Sequence, residues 1–133
     1  MAHALTTSAV HHIALTVADL DRAIQFYTTV LDFQVIAEFA PKRILSNGTL
    51  MLGLGPAEPT NSADARFDEK RVGLDHLSFG VPSRDDLLRA IEVLDHHGVP
   101  HGEISDLAPF GISILAFRDP DNIQLELTAP YQA

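Results

Sequence analysis

The chain has 133 residues, the length of one ordinary domain, and 46% of them are hydrophobic, which is enough to build a core. Its formal net charge of −9 argues against nucleic-acid binding, which depends on lysine and arginine contacts to phosphates. The absence of cysteine excludes disulfides and thiolate chemistry, and no stretch approaches the roughly 20 apolar residues that span a membrane. Because the N-terminal segment lacks the basic start and apolar core of a secretory signal, we expect a cytoplasmic protein.

The first half of the chain predicts a strand, a helix and three further strands. Apolar side chains alternate over 9–17, which is typical of a strand, and recur at helical spacing over 20–31, where Asp19 is suited to cap the helix. Asn47 and Gly48 form a pair that is typical of a two-residue hairpin loop. The three strands are expected at 33–39, 42–46 and 49–54.

The second half repeats this order. Residues 73–81 predict a strand, and Ser83 with Asp86 resembles the capping box that begins a helix. Gly98 is suited to follow the end of this second helix. The apolar stripe of the helix is expected to consist of Leu87, Leu88, Ile91 and Leu94. The remaining strands are expected at 102–106, 111–118 and 122–128.

The two halves are related by an internal repeat. A constant shift of the sequence superimposes His12 on His76 and also Val17 on Val81. One such half is too small to close a core alone, so we expect two tandem βαβββ modules in a single α+β domain over 1–133. Module one is expected at about 9–54, the linker at 55–72 and module two at about 73–129.

Strand alternation predicts which side chains face away from the helices. In the first and fifth strands apolar residues alternate with His12 and His76, so both histidines are expected on the helix-free face of a curved sheet. The same alternation leaves Glu126 on that face in the last strand and Gly53 in the fourth. The other residues expected to line this cleft are Thr16, Met51, Ser78 and Gln124.

Two imidazoles and one carboxylate on a shared face predict a site for a divalent metal ion. These groups bind Fe, Mn, Ni, Co or Zn, and three ligands leave positions open for a substrate. We therefore expect His12, His76 and Glu126 to be metal ligands. The pattern identifies no general base; His101 is a candidate for proton transfer, and His11 is expected to point towards the helix.

Three stretches of the chain carry a resemblance to a known family: VHHIALTVADLDRAIQFY, LDHLSFGV and FRDPDNIQLEL. Together they resemble the vicinal oxygen chelate superfamily, also called the glyoxalase/bleomycin resistance/dioxygenase superfamily. The resemblance covers 10–128 and implies an open, barrel-like sheet with the helices on its outer face. It also implies metal ligands on the first and fourth strands of each module, which here are His12, Gly53, His76 and Glu126.

Gly53 departs from the family pattern because it has no side chain to bind a metal. This departure weakens the likeness to glyoxalase I, which usually has a carboxylate or glutamine-type ligand there. The remaining set of two histidines and a glutamate resembles extradiol dioxygenases and fosfomycin-resistance transferases, but the C-terminal TAPYQA lacks the basic segment expected of the transferases. We expect a metal-dependent enzyme that binds a small substrate through neighbouring oxygens, and we rank dioxygenase-like chemistry ahead of a glyoxalase-like lyase or isomerase.

Two alternatives stay open at this level. The first is a drug-binding resistance protein without catalysis, with which the acidic charge agrees. The second concerns assembly, because the resemblance implies a homodimer in which His12 of one chain would meet His76 and Glu126 of another, whereas a site within one chain is equally compatible with the sequence. We expect no nucleic-acid or membrane partner.

Overall fold

The computed structural model describes residues 3–59 and 65–133 and confirms the α+β class with the order βαβββ in each half. The chain divides into two units, Met1–Glu58 and Pro59–Ala133. Each unit has its own four-stranded mixed sheet, and neither sheet closes into a barrel within the described residues. The predicted linker 55–72 is described except for 60–64, and the extent of the single domain stays a prediction.

The first unit is built on the sheet order β1-β4-β3-β2. Its elements are β1 (His12–Val17), α1 (Leu20–Thr29), β2 (Gln34–Phe39), β3 (Lys42–Ser46) and β4 (Met51–Pro56). Strands β1 and β4 are parallel, and the other neighbours are antiparallel. The predicted cap is confirmed, since Asp19 Oδ1 accepts the Arg22 backbone N–H at 3.1 Å. Helix α1 packs on β4 through a core that includes Tyr27, Leu52 and Leu54, which are fully buried.

The loop between β3 and β4 differs from the prediction. The ladder ends at Ser46 and resumes at Met51, so the loop has four residues and the predicted two-residue loop is wrong. The reason lies in the Asn47 side chain, whose Oδ1 accepts the backbone N–H groups of Thr49 at 3.0 Å and Leu50 at 2.8 Å. These local bonds close the loop together with a backbone bond from Asn47 N–H to Leu50 O at 3.3 Å.

The second unit is built on the sheet order β5-β8-β7-β6. Its elements are β5 (Leu77–Gly80), α2 (Arg84–His96), β6 (Ser105–Leu107), a 3₁₀ turn (Ala108–Phe110), β7 (Ile112–Arg118) and β8 (Gln124–Pro130). Strand β5 is parallel to β8, and the other pairs are antiparallel. The predicted capping box begins α2, where the Ser83 N–H donates to Asp86 Oδ2 at 2.9 Å. No helix in the described parts of the chain is long and apolar enough to cross a membrane.

Two strands of this unit are shorter than predicted. Strand β5 begins at Leu77 rather than at 73, because its ladder with β8 begins with the Leu77–Leu125 pair. Ahead of β6 the chain makes only an isolated bridge between His101 and Phe117, so the strand expected at 102–106 is confined to Ser105–Leu107. In both cases the length of the strand is set by how far it pairs with its neighbour. The periodicity of the sequence gives no information about that pairing.

Helix α2 buries a narrower face than predicted. Leu87 and Leu94 are almost fully buried, as the apolar stripe requires. Leu88, which was assigned to the same stripe, is 47% exposed, so its assignment is wrong. The residue directly follows Leu87 on the helix, and consecutive residues do not share one face.

The predicted alternation along the strands is confirmed in both units. Leu15 and Val17 are buried in β1, while His12 and Thr16 are exposed. Strand β8 and the residue before it alternate in the same way. Ile123, Leu125 and Leu127 are buried, whereas Gln124, Glu126 and Thr128 are partly exposed. Each sheet therefore has one face against its helix and a second face that carries the predicted site residues.

Candidate functional site

The second unit brings two predicted ligands together. His76 directly precedes β5, and Glu126 lies in the middle of the neighbouring β8, in register with Ser78. His76 Nε2 lies 3.7 Å from Glu126 Oε1, which is longer than a hydrogen bond. The His76 side chain is 40% exposed and that of Glu126 is 13% exposed. A solvent-accessible nitrogen and a partly buried carboxylate therefore face one another without a direct hydrogen bond.

Asp75 holds the other nitrogen of the His76 ring. The two groups are 2.8 Å apart, and because a carboxylate can only accept, His76 Nδ1 donates to Asp75 Oδ1. Gln124 Nε2 also donates to Asp75 Oδ1, at 3.0 Å, and to the backbone oxygen of Asp75 at 3.2 Å. A neutral ring with its proton on Nδ1 has its lone pair on Nε2, the nitrogen that faces Glu126.

Arg118 extends this hydrogen-bonded network towards the linker. Its guanidinium binds both carboxylate oxygens of Glu69, at 3.0 and 2.7 Å, and also donates to Gln124 Oε1 at 3.5 Å. The Arg118 guanidinium holds the pKa of Glu69 well below its usual range, at about 2. A further bond, from Asn122 Nδ2 to the backbone oxygen of Phe67 at 3.0 Å, joins the same part of the linker to the β7–β8 hairpin.

Two hydroxyl groups lie next to the carboxylate of Glu126. Thr128 Oγ1 donates to Glu126 Oε1 at 3.3 Å, and Ser78 Oγ is hydrogen-bonded to Thr128 Oγ1. Ser78 pairs with Glu126 in the ladder and shares its face, as the alternation predicts. Gln124 lies on this face as well, but its amide is engaged by Asp75 and Arg118.

In the first unit His12 lies beside a second histidine. His12 is exposed at the start of β1, and its Nδ1 lies 2.9 Å from Nδ1 of His11. His11 is exposed too, so the prediction that it points towards the helix is wrong; it precedes β1, where strand alternation no longer applies. Met51 pairs with His12 in the β1–β4 ladder, and Thr16 shares the face of His12 by alternation.

Gly53 lies among small and apolar neighbours. It pairs with Ala14 in the parallel ladder and with Ile44 in the antiparallel one. A Cβ added to Gly53 would lie 3.6 Å from Ala14 Cβ and 3.8 Å from Ile44 Cδ1, which are ordinary contacts. The position corresponds to Glu126 in the repeat, so a carboxylate in one unit corresponds to a buried glycine in the other.

His101 lies on the helix side of its sheet. It bridges to Phe117, which is buried and pairs with buried Leu125, and its Nε2 contacts Asp95 Oδ1 of α2 at 2.7 Å. Its Nδ1 contacts the backbone oxygen of Gly102 at 2.6 Å. Because both partners are acceptors, the Gly102 carbonyl and the Asp95 carboxylate raise the pKa of His101. These contacts engage both ring nitrogens and attach α2 to the segment before β6.

The second unit offers two donor atoms of the kinds that bind divalent metal ions. Two ligand atoms at about 2.1 Å from one ion lie about 3.0 Å apart at a right angle and about 3.4 Å apart at a tetrahedral angle. The separation of 3.7 Å between His76 Nε2 and Glu126 Oε1 is slightly longer than these values. Over 3–59 and 65–133, no three His, Asp or Glu side chains form a group that could hold a metal by themselves. The predicted third ligand, His12, belongs to the other unit.

Sequence reasoning missed Asp75, Arg118 and Glu69. Asp75 could have been found as the residue that precedes His76, although adjacency alone does not predict a side-chain contact. Arg118 pairs with Gln124 in the antiparallel ladder, so the register across the turn at 119–122 would have placed the two together. Glu69 belongs to the linker, whose position no periodic pattern predicts.

A family assignment agrees with this fold. The model of the Glyoxalase/Bleomycin resistance protein/Dioxygenase superfamily matches residues 9–127. The match covers both units and both predicted histidines, so the chain belongs to this superfamily.

Individual relatives extend the comparison. The uncharacterized protein YwkD of Bacillus subtilis (strain 168) is 31% identical over 130 residues, covering 90% of this chain and 94% of that protein. A glyoxylase/bleomycin resistance protein/dioxygenase domain from Frankia sp. EAN1pec is 34% identical, with 96% of each chain covered and a TM-score of 0.82. A variant of the fosfomycin resistance protein FosX from Listeria monocytogenes, in complex with Mn(II) and 1S,2S-dihydroxypropylphosphonic acid, is 19% identical. The superposition covers 92% of this chain and 90% of the FosX chain with a TM-score of 0.71, and it shows a shared fold alone.

Proposed function

We propose that this protein is a divalent-metal-dependent enzyme that binds a small substrate through two neighbouring oxygens. The proposed ligands are His12, His76 and Glu126. The observation that carries the proposal is the arrangement of His76, whose Nε2 faces Glu126 Oε1 at 3.7 Å while Nδ1 is engaged by Asp75. A nitrogen and a carboxylate oxygen that face one another in this way are a suitable ligand pair for a divalent ion.

The residues around this pair suit an anionic substrate at a metal. A metal ion bound here would supply Lewis-acid stabilisation of a substrate oxyanion. Two neutral imidazoles and one carboxylate would cancel only one of the two positive charges of the ion, so attraction to an oxyanion would remain. The hydroxyl groups of Ser78 and Thr128 lie beside Glu126 and can hydrogen-bond either the carboxylate or a substrate oxygen.

Within this class we rank dioxygenase-like chemistry ahead of lyase or isomerase chemistry. Gly53 offers no ligand at the position that corresponds to Glu126, which leaves a set of three. Two histidines and one carboxylate with open positions are the ligand set of non-haem iron oxygenases.

The experiment for this proposal is elemental analysis of protein purified without chelator, followed by activity assays with the metal that is found. We expect about one ion per chain, and iron would favour ring-cleaving oxygenation, whereas nickel or zinc would favour lyase or isomerase chemistry. Catechols and hemithioacetals are suitable first substrates for the two classes. A metal content that is the same in wild type, His12→Ala and His76→Ala would reject the proposed ligands.

A second candidate function is tight binding of a cationic small molecule without catalysis. The observation that favours it is the net charge of −9. This function predicts stoichiometric binding by metal-free protein, and binding that is unchanged in His76→Ala. The metal-dependent enzyme predicts instead that ligand binding requires both the ion and His76.

We also propose a homodimer, and a mixing experiment distinguishes sites within one chain from sites shared between two. His12→Ala and His76→Ala chains, each unable to bind metal alone, are unfolded and refolded together. If His12 of one chain acts with His76 and Glu126 of another, a mixed dimer has one intact site and metal binding partly returns. If all ligands come from one chain, the mixture binds no more metal than the separate variants.

A further inference from the structure

We propose that Asp75 is a positioning residue for His76 and selects Nε2 as the nitrogen that binds the metal. The inference rests on the proposed function for the role of His76 as a ligand, and on the contacts of the second unit for the rest. Asp75 would act through the ring of His76, because its Oδ1 accepts hydrogen bonds from His76 Nδ1 and from Gln124 Nε2. No sequence pattern assigned a role to this aspartate.

The geometry around Asp75 determines which ring nitrogen is available. Its Oδ1 lies 2.8 Å from His76 Nδ1 and 3.0 Å from Gln124 Nε2. Both neighbours must donate, because a carboxylate has no hydrogen to give. The proton of a neutral His76 ring is therefore on Nδ1, and the lone pair is on Nε2, 3.7 Å from Glu126 Oε1.

Asp75 is itself held at two of its atoms by Gln124. Gln124 Nε2 donates to the side chain of Asp75 and, at 3.2 Å, to its backbone oxygen. The orientation of the Gln124 amide is set by Arg118, which donates to Oε1 at 3.5 Å and is held by both oxygens of Glu69. An amide that donates at one end and accepts at the other has a single favourable orientation. Gln124, predicted only to line the cleft, therefore has a second role in holding Asp75.

The internal repeat places a similar partner beside the other predicted histidine. The shift that superimposes His12 on His76 also superimposes His11 on Asp75. His11 Nδ1 lies 2.9 Å from His12 Nδ1, so in each unit the residue before the predicted ligand contacts Nδ1 of its ring. When His12 donates in this contact, its Nε2 keeps the lone pair, as in His76.

The contact with Asp75 is expected to raise the affinity of His76 for a metal ion. The His76 side chain is 40% exposed and lies outside the β5 ladder, so without Asp75 its ring would rotate and exchange its proton between the two nitrogens. A carboxylate on the far nitrogen fixes the ring and strengthens the other nitrogen as a donor. Loss of such a partner usually lowers metal affinity by about 10–100-fold.

The test compares Asp75→Ala, Asp75→Asn and a matched control, Asp95→Asn. The control removes the carboxylate from the other His–Asp pair of the same unit, in which His101 Nε2 is 2.7 Å from Asp95 Oδ1. The first measurement is ¹⁵N NMR of the His76 ring in the metal-free, full-length protein, in mildly alkaline buffer where neutral rings predominate. His76→Gln identifies the His76 signals by their loss. The second measurement is the affinity of each variant for Mn(II).

We expect the His76 ring of wild type to carry its proton on Nδ1 and that of Asp75→Ala to shift towards the other tautomer. Asp75→Asn should keep the wild-type tautomer, because both hydrogen bonds end on one oxygen that asparagine retains. Asp95→Asn should leave His76 unchanged. A wild-type ring protonated on Nε2, or identical ring signals in wild type and Asp75→Ala, would overturn the inference.

The affinity measurement separates this inference from the proposed function. We expect Mn(II) affinity to fall about 10–100-fold in Asp75→Ala, by less in Asp75→Asn, and not at all in Asp95→Asn. Equal affinities in wild type and Asp75→Ala would overturn the positioning role even if the protein binds metal. If wild type binds no divalent ion, the proposed function fails, while the tautomer measurement still decides whether Asp75 orients His76.

Discussion

His76 Nε2 and Glu126 Oε1 face one another at 3.7 Å beside the parallel β5–β8 pair, too far apart for a hydrogen bond. On the opposite side of the ring, Asp75 engages Nδ1 at 2.8 Å. An imidazole held in this way presents a defined nitrogen lone pair towards a carboxylate that the neighbouring strand positions. Both residues were predicted to lie on one face of the sheet, and the structure brings their side chains together.

Gly53→Ala should be neutral to stabilising. The added Cβ would meet Ala14 Cβ at 3.6 Å, an ordinary contact, and glycine within a strand costs about 0.5–1 kcal/mol relative to alanine. The free energy of unfolding from denaturant titration measures the effect. Gly55→Ala is the control, because its Cβ would come within 3.2 Å of Lys42 Cγ and the lysine would have to move. A loss of stability in Gly53→Ala larger than in Gly55→Ala would show that the space at Gly53 is filled.

Leu94→Ala should be far more destabilising than Leu88→Ala. Leu94 is 2% exposed and Leu88 is 47% exposed, although both were expected in the apolar stripe of α2. We expect a loss of about 2–5 kcal/mol for Leu94→Ala, from lost burial and the cavity that remains. Leu88→Ala should lose about 0.5 kcal/mol, as surface substitutions do. Equal losses in thermal or denaturant unfolding would show that a partner surface covers Leu88.

Glu69→Gln should make the stability of the protein less dependent on pH in the acid range. The hydrogen bonds from Arg118 lower the pKa of Glu69 from 4.5 to about 2, so its stabilising effect is present above pH 4.5 and is lost as the pH falls towards 2. Melting temperatures measured across this range should fall less steeply in Glu69→Gln than in wild type. Glu103→Gln, at an exposed position of the same unit, is the control. Parallel profiles for Glu69→Gln and wild type would contradict the strength of the Arg118 pair.

His101 should titrate above its ordinary pKa of 6.5, because the Gly102 carbonyl and the Asp95 carboxylate both accept from its ring. Its contribution to stability is fully present below pH 6.5 and is lost as the pH rises through the raised pKa. NMR titration of the ring should show this pKa, and Asp95→Asn should lower it. A titration curve that does not respond to Asp95→Asn would contradict the contact.

Much of the fold could be predicted because it is encoded locally. Alternation in β1 and β8, the Asp19 cap and the Ser83 capping box depend on residues close in sequence, and the structure confirms each of them. The late start of β5 and the exposure of Leu88 depend on pairing and packing between distant segments, which periodicity does not contain.

The candidate site divides in the same way. Alternation predicted the face of Glu126, which lies within β8, whereas His76 was placed by a strand expected to begin at 73 and lies just before β5. The support around them was missed, because Arg118 reaches Gln124 through the register of the β7–β8 hairpin and Glu69 reaches Arg118 from the linker. The sequence therefore predicted that His76 and Glu126 lie together, whereas the network that orients His76 depends on contacts between segments that are distant in sequence.

Titration of metal-free protein with Mn(II), followed by electron paramagnetic resonance, tests the proposed ligands His12, His76 and Glu126 most directly. We predict one ion per chain in wild type and in Asp95→Asn. In His12→Ala, His76→Ala and Glu126→Ala the affinity should fall by more than about 100-fold, which exceeds the usual effect of losing a partner of a ligand. Wild-type affinity in any of these three variants would contradict the proposed ligand set, and wild-type affinity in His12→Ala would remove the first half of the repeat from the site.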